Sequence, residues 1–234
     1  MLEPGFYNMD CMEGMRQFPD KFFDLAIVDP PYGIDICSKT DGITVKIGGG
    51  GVSCQKNYHP FNDIKIPDTN YFDELKRVSK NQIIWGGNYF LDNLGPTSCF
   101  ICWDKYKDVT NYADGEFAWT SFKMPAKIFR FKWHGMLQQD MKNKEDRIHP
   151  TQKPVVLYEW LLSQFAKPGM KILDTHVGSA SSLIACHRAG LDYWGFEIDE
   201  VYYKMAKERL DKEKAQVNMF DVVKETRTEQ VSLI

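Results

Sequence analysis

Long hydrophobic runs are missing from this chain. None of its apolar stretches could cross a bilayer as a helix, and no signal sequence is visible. A soluble cytoplasmic protein with no membrane partner is expected. Metal-ligand spacing is missing too: His59, His134, His149 and His187 fall in no zinc-binding pattern, so no catalytic metal is expected. Cysteine is sparse, with six residues scattered through the chain. Cys99 and Cys102 form a C-x-x-C inside the apolar run Cys99 to Trp103, where residues three apart in a strand face opposite sides. Ordinary buried or half-buried thiols are expected there, not a redox pair or metal site. No G-x-G-x-x-G fingerprint occurs, which argues against a nicotinamide dehydrogenase. No internal repeat is visible, and no linker separates two independent domains.

What remains is a chain of 234 residues with 43% apolar content, enough for one ordinary α/β domain spanning 1–234. Apolar patterning predicts strands at Phe23 to Val28, Gln82 to Trp85, Ser98 to Trp103, Phe117 to Phe122, Ile128 to Trp133, Met170 to Leu173, Tyr193 to Ile198 and Val217 to Phe220. Helices are expected over Tyr71 to Val78, from Pro154 to Phe165, in the segment Gly178 to Ala189, and over Glu200 to Leu210. Alternating strands and helices imply a mostly parallel sheet covered on both faces. Two stretches read as insertions above that sheet. The first, 33–68, carries five glycines between Gly42 and Gly51 and is expected to be a mobile loop near the site. The second is 105–147. The polar tail from Val222 to Ile234 is expected to be poorly ordered.

The net charge of −3 is unevenly spread. From Ser121 to Lys153, Lys123, Lys127, Arg130, Lys132, Lys142, Lys144, Arg147 and Lys153 face only Asp140, Glu145 and Asp146. That segment is +5 and the remainder −8. Phe122, Phe129, Phe131 and Trp133 interleave with the basic residues. Such a stretch can attract a phosphate backbone, and the alternative is a solvated face over a core strand. The candidate nucleic-acid contacts are Lys123, Arg130, Lys132, Lys142, Lys144 and Arg147. Trp133 or Phe131 could stack or wedge against a base, or belong to the core.

Two strand ends carry the chemistry. At the first, the buried run Phe22 to Val28 ends in Asp29-Pro30-Pro31-Tyr32. A carboxylate can accept hydrogen bonds from an exocyclic amine, two prolines stiffen the turn, and a tyrosine ring can stack on a flat base. At the second, Ile172-Leu173-Asp174 runs into Thr175-His176-Val177-Gly178-Ser179-Ala180-Ser181-Ser182, a small-residue loop before a helix. Nineteen residues after Gly178 stands Glu197, an acid able to accept from ribose hydroxyls. By themselves these features fit a nicotinamide cofactor, another nucleoside cofactor or a structural turn.

The whole set resembles the amino-group DNA methyltransferases that use S-adenosylmethionine, in the permuted motif order called the beta class. The resemblance covers nearly the whole chain. It rests on Asp29-Pro30-Pro31-Tyr32, on Trp85-Gly86-Gly87-Asn88-Tyr89-Phe90, on Ile101-Cys102-Trp103-Asp104-Lys105 and on His149-Pro150-Thr151-Gln152-Lys153-Pro154. It implies a Rossmann-like, circularly permuted methyltransferase fold with a mostly parallel seven-stranded sheet and helices on both faces. It also implies a catalytic role for Asp29, Pro30, Pro31 and Tyr32. Cofactor contacts would come from Asp10, Asp29, Thr151, Lys153, Asp174, His176, Gly178, Ser179 and Glu197, and target recognition from 105–147. The loop departs from the family's commonest form: Thr175 stands for a proline, His176 for a phenylalanine and Ala180 for a glycine. His176 either contacts cofactor or packs and caps beneath the loop.

The resemblance implies methyl transfer from S-adenosylmethionine to the N6 amine of an adenine flipped out of duplex DNA. Cytosine N4 is the nearest alternative, and a non-catalytic nucleic-acid-binding protein with a degenerate cofactor loop is the reading from another class. The layout is bacterial or phage-like, and the small recognition region leaves room for a homodimer. Neither the recognition word nor a restriction partner can be read from these residues.

Overall fold

In the computed structural model, residues 1–33, 46–47, 51–52, 59, 66–106, 113–134 and 137–231 are described. For 46–47, 51–52, 134, 137 and 217–231 that description covers the backbone alone. The expected mobile insertion at 33–68 therefore lies mostly outside the described residues.

Along the chain the strands are β1 (Gly5–Asn8), β2 (Phe23–Val28), β3 (Lys46–Ile47), β4 (Gly51–Val52), β5 (Ser79–Trp85), β6 (Ile101–Asp104), β7 (Gly115–Thr120), β8 (Lys127–Arg130), β9 (Trp133–His134), β10 (Leu137–Gln138), β11 (Lys171–Asp174) and β12 (Asp192–Glu197). The helices are α1 (Cys11–Met15), α2 (Thr69–Val78), α3 (Leu91–Leu94), α4 (Val155–Phe165), α5 (Ser181–Arg188) and α6 (Glu200–Val231). The main sheet has the order β1-β12-β11-β2-β5-β7-β6-β8. Pairing is parallel from β1 through β5; β7 runs antiparallel between β5 and β6, and β8 is parallel to β6. β3–β4 and β9–β10 are separate two-stranded ladders. The architecture is the expected Rossmann-like, mostly parallel α/β fold, with eight strands in place of seven.

Strand β2 shows why the sheet takes this form. Phe23, Leu25, Ala26, Ile27 and Val28 are all buried, so both faces of the strand must be covered. Leu25 and Ile27 join a core with Ile83, Trp85, Leu161 and Leu183 beneath α4 and α5. Ala26 and Val28 join the opposite core with Met15, Phe72, Leu75 and Phe196 beneath α1 and α2. Asp68 starts α2 by accepting the Tyr71 N–H at 3.2 Å.

One sequence expectation fails near the C-terminal end, and one edge strand was not foreseen. The strand expected at Val217 to Phe220 is a continuation of α6, which also takes up the tail to Val231. No glycine or proline occurs between Glu200 and Val231, so nothing in the local chemistry stops the helix. The sheet edge is filled instead by β1, whose four residues pair with Trp194 to Glu197 and lack the alternation that would mark a strand. The expected strand Ile128 to Trp133 divides into β8 and β9.

Candidate active site

From β11 the chain winds through α5 to β12, and from β2 it winds the other way through α2 to β5. β11 and β2 are neighbours at the point where the winding reverses. In doubly wound sheets, ligands bind in the crevice outside the carboxyl ends at such a point. Asp174 ends β11, Asp29 follows β2, Glu197 ends β12 and Asp10 follows β1. The fold thus places four carboxyl groups at one end of the sheet.

Asp29 is held on both oxygens. The Tyr32 hydroxyl donates to Oδ1, and the Lys153 ammonium forms an ion pair with Oδ2. Lys153 is only 4% exposed, and its Nζ also lies 3.2 Å from Glu116 Oε2. Glu116 Oε1 in turn receives the Lys105 ammonium. Burial disfavours the charged Lys153, but Asp29 and Glu116 beside it outweigh that and hold its pKa above the usual lysine value. Burial pushes the Glu116 carboxyl up, yet Lys153 and Lys105 prevail and hold it at about 2. Burial raises the Tyr32 phenol well above its ordinary range, and Asp29 adds to that.

Gly86 fixes the Tyr32 ring. A Cβ on Gly86 would lie 2.1 Å from Tyr32 Cε1, and 2.5 and 2.6 Å from Cδ1 and Cζ. Those three distances place the glycine over a face of the ring, not at its edge. The backbone there has φ +66°, which favours glycine a second time. Tyr89, half exposed, stacks on Tyr32 with ring centroids 5.2 Å apart and planes 17° from parallel. Phe90 meets Tyr32 edge-on. Pro30 is buried and Pro31 half-buried in the same turn.

The loop after β11 is bonded internally. Asp174 accepts from the Ser182 hydroxyl and, at 3.0 Å, from the His176 N–H; burial nevertheless pushes its carboxyl up to about 7. The Thr175 hydroxyl bridges Tyr71 Oη at 2.7 Å and His176 Nδ1 at 2.9 Å. Burial lowers the His176 imidazole to about 4. The Gly178 N–H donates to Glu197 Oε2 at 2.8 Å, while Asp199 N–H donates to Oε1 at 2.9 Å. Burial raises the Glu197 carboxyl. Ser179 is buried, and Ala180, where the commonest family loop has glycine, sits at φ +63° directly before α5. Asp10 caps α1, accepting from Met12 N–H at 2.8 Å and Glu13 N–H at 3.2 Å.

The segment His149 to Lys153 joins the two halves. A Cβ on Gly178 would lie 3.8 Å from the His149 ring, and Lys153, four residues on, reaches Asp29. The Thr151 hydroxyl lies 3.0 Å from His149 Nδ1. Burial pushes that imidazole down to about 3, with Lys153 adding to the effect.

The basic stretch divides in the folded chain. Lys123, Lys132, Lys142 and Lys144 are exposed, and Arg130 is exposed while paired with Asp104 at 3.3 Å. Arg147 is half-buried and donates to the Pro150 carbonyl oxygen at 2.5 Å. Lys153 faces inward and takes no part in that surface. Trp133 is core: it is buried, and its indole N–H donates to the Gln152 carbonyl oxygen at 3.0 Å. Phe131 is half-buried against Phe129. Cys99 is buried just before β6 and Cys102 half-buried within it. Among the described residues, no group of three or more His, Cys, Asp or Glu side chains could hold a metal. No helix among them is long and apolar enough to cross a membrane.

Sequence reasoning gave Glu116 no role. It lies one residue before the strand expected at Phe117, but it shares a strand face with buried Ala118 and Thr120, a period-two signal that marks an inward-facing acid.

The DNA methylase family profile matches residues 52–208 of this chain. The chain belongs to the DNA methylase family. Among curated methylases it is similar to the type II methyltransferase M.HinfI of Haemophilus influenzae, 25% identical over 257 residues, covering 92% of this chain and 70% of that protein. A shorter match, 40% identical over 83 residues, links 36% of the chain to 26% of the type II methyltransferase M.HpaI of Haemophilus parainfluenzae. Among solved methylase structures, M1.HpyAVI in complex with SAM aligns with TM-score 0.54 and 20% identity, over 87% of this chain and 98% of that one. The cytosine-N4-specific PvuII DNA methyltransferase aligns with TM-score 0.56 and 13% identity, over 93% and 92%. These likenesses show the methylase fold. The adenine-N6 and cytosine-N4 enzymes share it, so family membership leaves the target base open.

Proposed function

We propose that this chain is an S-adenosylmethionine-dependent DNA methyltransferase that modifies the N6 amine of a flipped adenine. The observation that carries the reading is the Asp29 carboxylate. It stands at the switch point of the sheet, across the crevice from the Asp174 loop, locked by Tyr32 and Lys153. The aspartate at the head of the tetrapeptide is what favours adenine over cytosine.

The residues around the crevice fit the cofactor. Glu197 accepts one backbone N–H on each oxygen, and each oxygen keeps a lone pair for a ribose hydroxyl. Asp10 lies beside Glu197 for the adenine portion. Asp174, His176, Gly178 and Ser179 form the loop for the methionine portion, with Thr151 adjoining. Bound there, the cofactor supplies a methyl group on a positively charged sulfur. Four carboxyl groups at one sheet end suit a cationic ligand.

Asp29 and the Pro30 carbonyl oxygen accept the two hydrogens of the target amine, which favours a tetrahedral nitrogen as it attacks; the methylated nitrogen then gives up its surplus proton to Asp29, directly or through water. No covalent enzyme intermediate is needed. The proline pair holds both acceptors in place, and Tyr32, backed by Gly86 and stacked with half-exposed Tyr89, gives the site a rigid aromatic wall. The base must leave the duplex to reach a group at the bottom of this crevice. The 105–147 region would supply target recognition, with Lys123, Arg130, Lys132, Lys142 and Lys144 on phosphates. Arg147 is the weakest of those candidates because its guanidinium already serves Pro150.

The test is incubation with mixed-sequence duplex DNA and methyl-labelled S-adenosylmethionine, followed by digestion and mass spectrometry of the nucleosides. N6-methyladenine is expected, and Asp29→Ala should still bind cofactor yet form almost none. N4-methylcytosine would overturn the base assignment. Absence of any methylated nucleoside, with cofactor bound, would favour a non-catalytic DNA-binding protein.

A further inference from the structure

The buried side of Asp29 carries more charge than the transfer itself requires. Lys153 touches Asp29 Oδ2 and also donates to the Tyr32 hydroxyl oxygen at 3.3 Å, and behind Lys153 stands Glu116, itself backed by Lys105. Four ionised groups from four parts of the chain therefore form one alternating row: Asp29, Lys153, Glu116, Lys105. An ammonium in contact with Asp29 has two opposite consequences. It holds the carboxylate in one orientation. It also places a positive charge next to an amine whose nitrogen becomes positive as it is methylated, which by itself opposes the reaction.

We propose that Glu116 is a positioning residue for the methyl transfer. It anchors Lys153 against Asp29 and offsets the Lys153 charge, so that Asp29 alone sets the field at the target amine. The inference rests on the reading of Asp29 as the amine acceptor. Three observations support it. Glu116 is the other carboxylate paired with the Lys153 ammonium, at 3.2 Å. Its second oxygen is engaged by Lys105, so its side chain is fixed from both sides. Its carboxyl is held at about 2 by those two lysines against the opposing effect of burial, so it is ionised throughout the working pH range.

Glu116 acts through Lys153, and this distinguishes it from a residue that merely fills space. Glu116→Gln keeps the shape and removes the charge. At pH 7 the variant should lose roughly 10- to 100-fold in kcat, the range typical of losing a partner that holds a contacting residue in place. Its affinity for S-adenosylhomocysteine, measured by calorimetry, should stay within a factor of about two, a change too small to register as lost binding energy. Its kcat should partly recover as pH rises, because Lys153 without Glu116 gives up its proton more easily. Glu116→Asp should fall between the two. In a Lys153→Met background, Glu116→Gln should cause no further loss.

An unchanged kcat in Glu116→Gln would overturn the proposal, as would an equal fold-loss in the Lys153→Met background. A urea-denaturation cycle over the same four proteins reads the pairing without relying on turnover. Strictly additive midpoint shifts would show that the two side chains are not coupled, and would sink the inference even if the protein methylated no DNA. A wild-type protein without methylation product would count instead against the functional reading.

Discussion

Asp174 titrates where it matters. Burial raises its carboxyl to about 7, so below that pH the folded protein keeps a proton that an ordinary aspartate, at 3.8, has already lost. A cationic ligand beside it favours the ionised form, so binding must expel that proton whenever the pH lies below about 7. S-adenosylmethionine affinity is therefore expected to rise with pH up to neutrality, approaching tenfold per unit on the acid side, and then level off. Calorimetry in buffers of different ionisation enthalpy at slightly acid pH would read the released proton directly. Loss of the pH dependence in Asp174→Asn would assign it, and persistence in that variant would place it elsewhere. The neighbouring histidines have the opposite sign. Burial holds His176 at about 4 and His149 at about 3, against 6.5 when exposed, so both are neutral in the fold. The unfolded chain then binds more protons than the folded one, and stability should fall as pH drops from 6.5 toward 4.

At the level of elements, helix α6 is a brace for the site. Arg209 Nη1 lies 2.7 Å from the Ser179 carbonyl oxygen and 2.9 Å from Ser181 Oγ, and Nη2 lies 2.7 Å from Glu145 Oε2. The other oxygen of Glu145 accepts the first N–H of α4 at 3.0 Å. One guanidinium thus ties the loop before α5 to the segment that carries Lys142 and Lys144. Arg209→Met should cost about 2 kcal/mol, since it removes several charge-assisted hydrogen bonds at a half-buried position. A shifted urea midpoint with an unchanged slope is the expected signature, and a shift near zero would show that the brace is idle. Glu145 looked in the sequence like one of three acids diluting a basic stretch. In the fold it caps a helix and anchors that brace, because residues 64 positions away reach it.

Over the whole molecule, a mildly acidic protein exposes Lys123, Arg130, Lys132, Lys142 and Lys144 from one basic stretch of its chain. If Lys142 and Lys144 each meet a phosphate, Lys142→Ala with Lys144→Ala should weaken DNA binding for every sequence alike. It should also reduce the slope of log affinity against log salt by about 2, because fewer counterions are released. Titration of one duplex at several salt concentrations checks this, and an unchanged slope would remove both lysines from the interface.

Much of this protein was readable along the chain because the signals are local. A two-face buried run such as Phe23 to Val28 can only be a central strand, and a carboxylate followed by two prolines must end it. Alternation of strands with helices then sends successive strand ends to the same edge of a parallel sheet, which is why Asp29, Asp174 and Glu197 meet there. What local pattern could not supply was pairing between distant side chains. Lys153 reads as a positive charge in a basic stretch and, by resemblance, as a cofactor contact, and Glu116 as a residue outside a strand. They become the inner wall of the Asp29 site because β7 runs antiparallel beside β5 and carries Glu116 toward a segment that follows it by more than thirty residues. Likewise Val217 to Phe220 has the composition of a strand, but a strand needs a neighbour. β1 already fills the edge beside β12, and an uninterrupted helix was the lower-energy continuation.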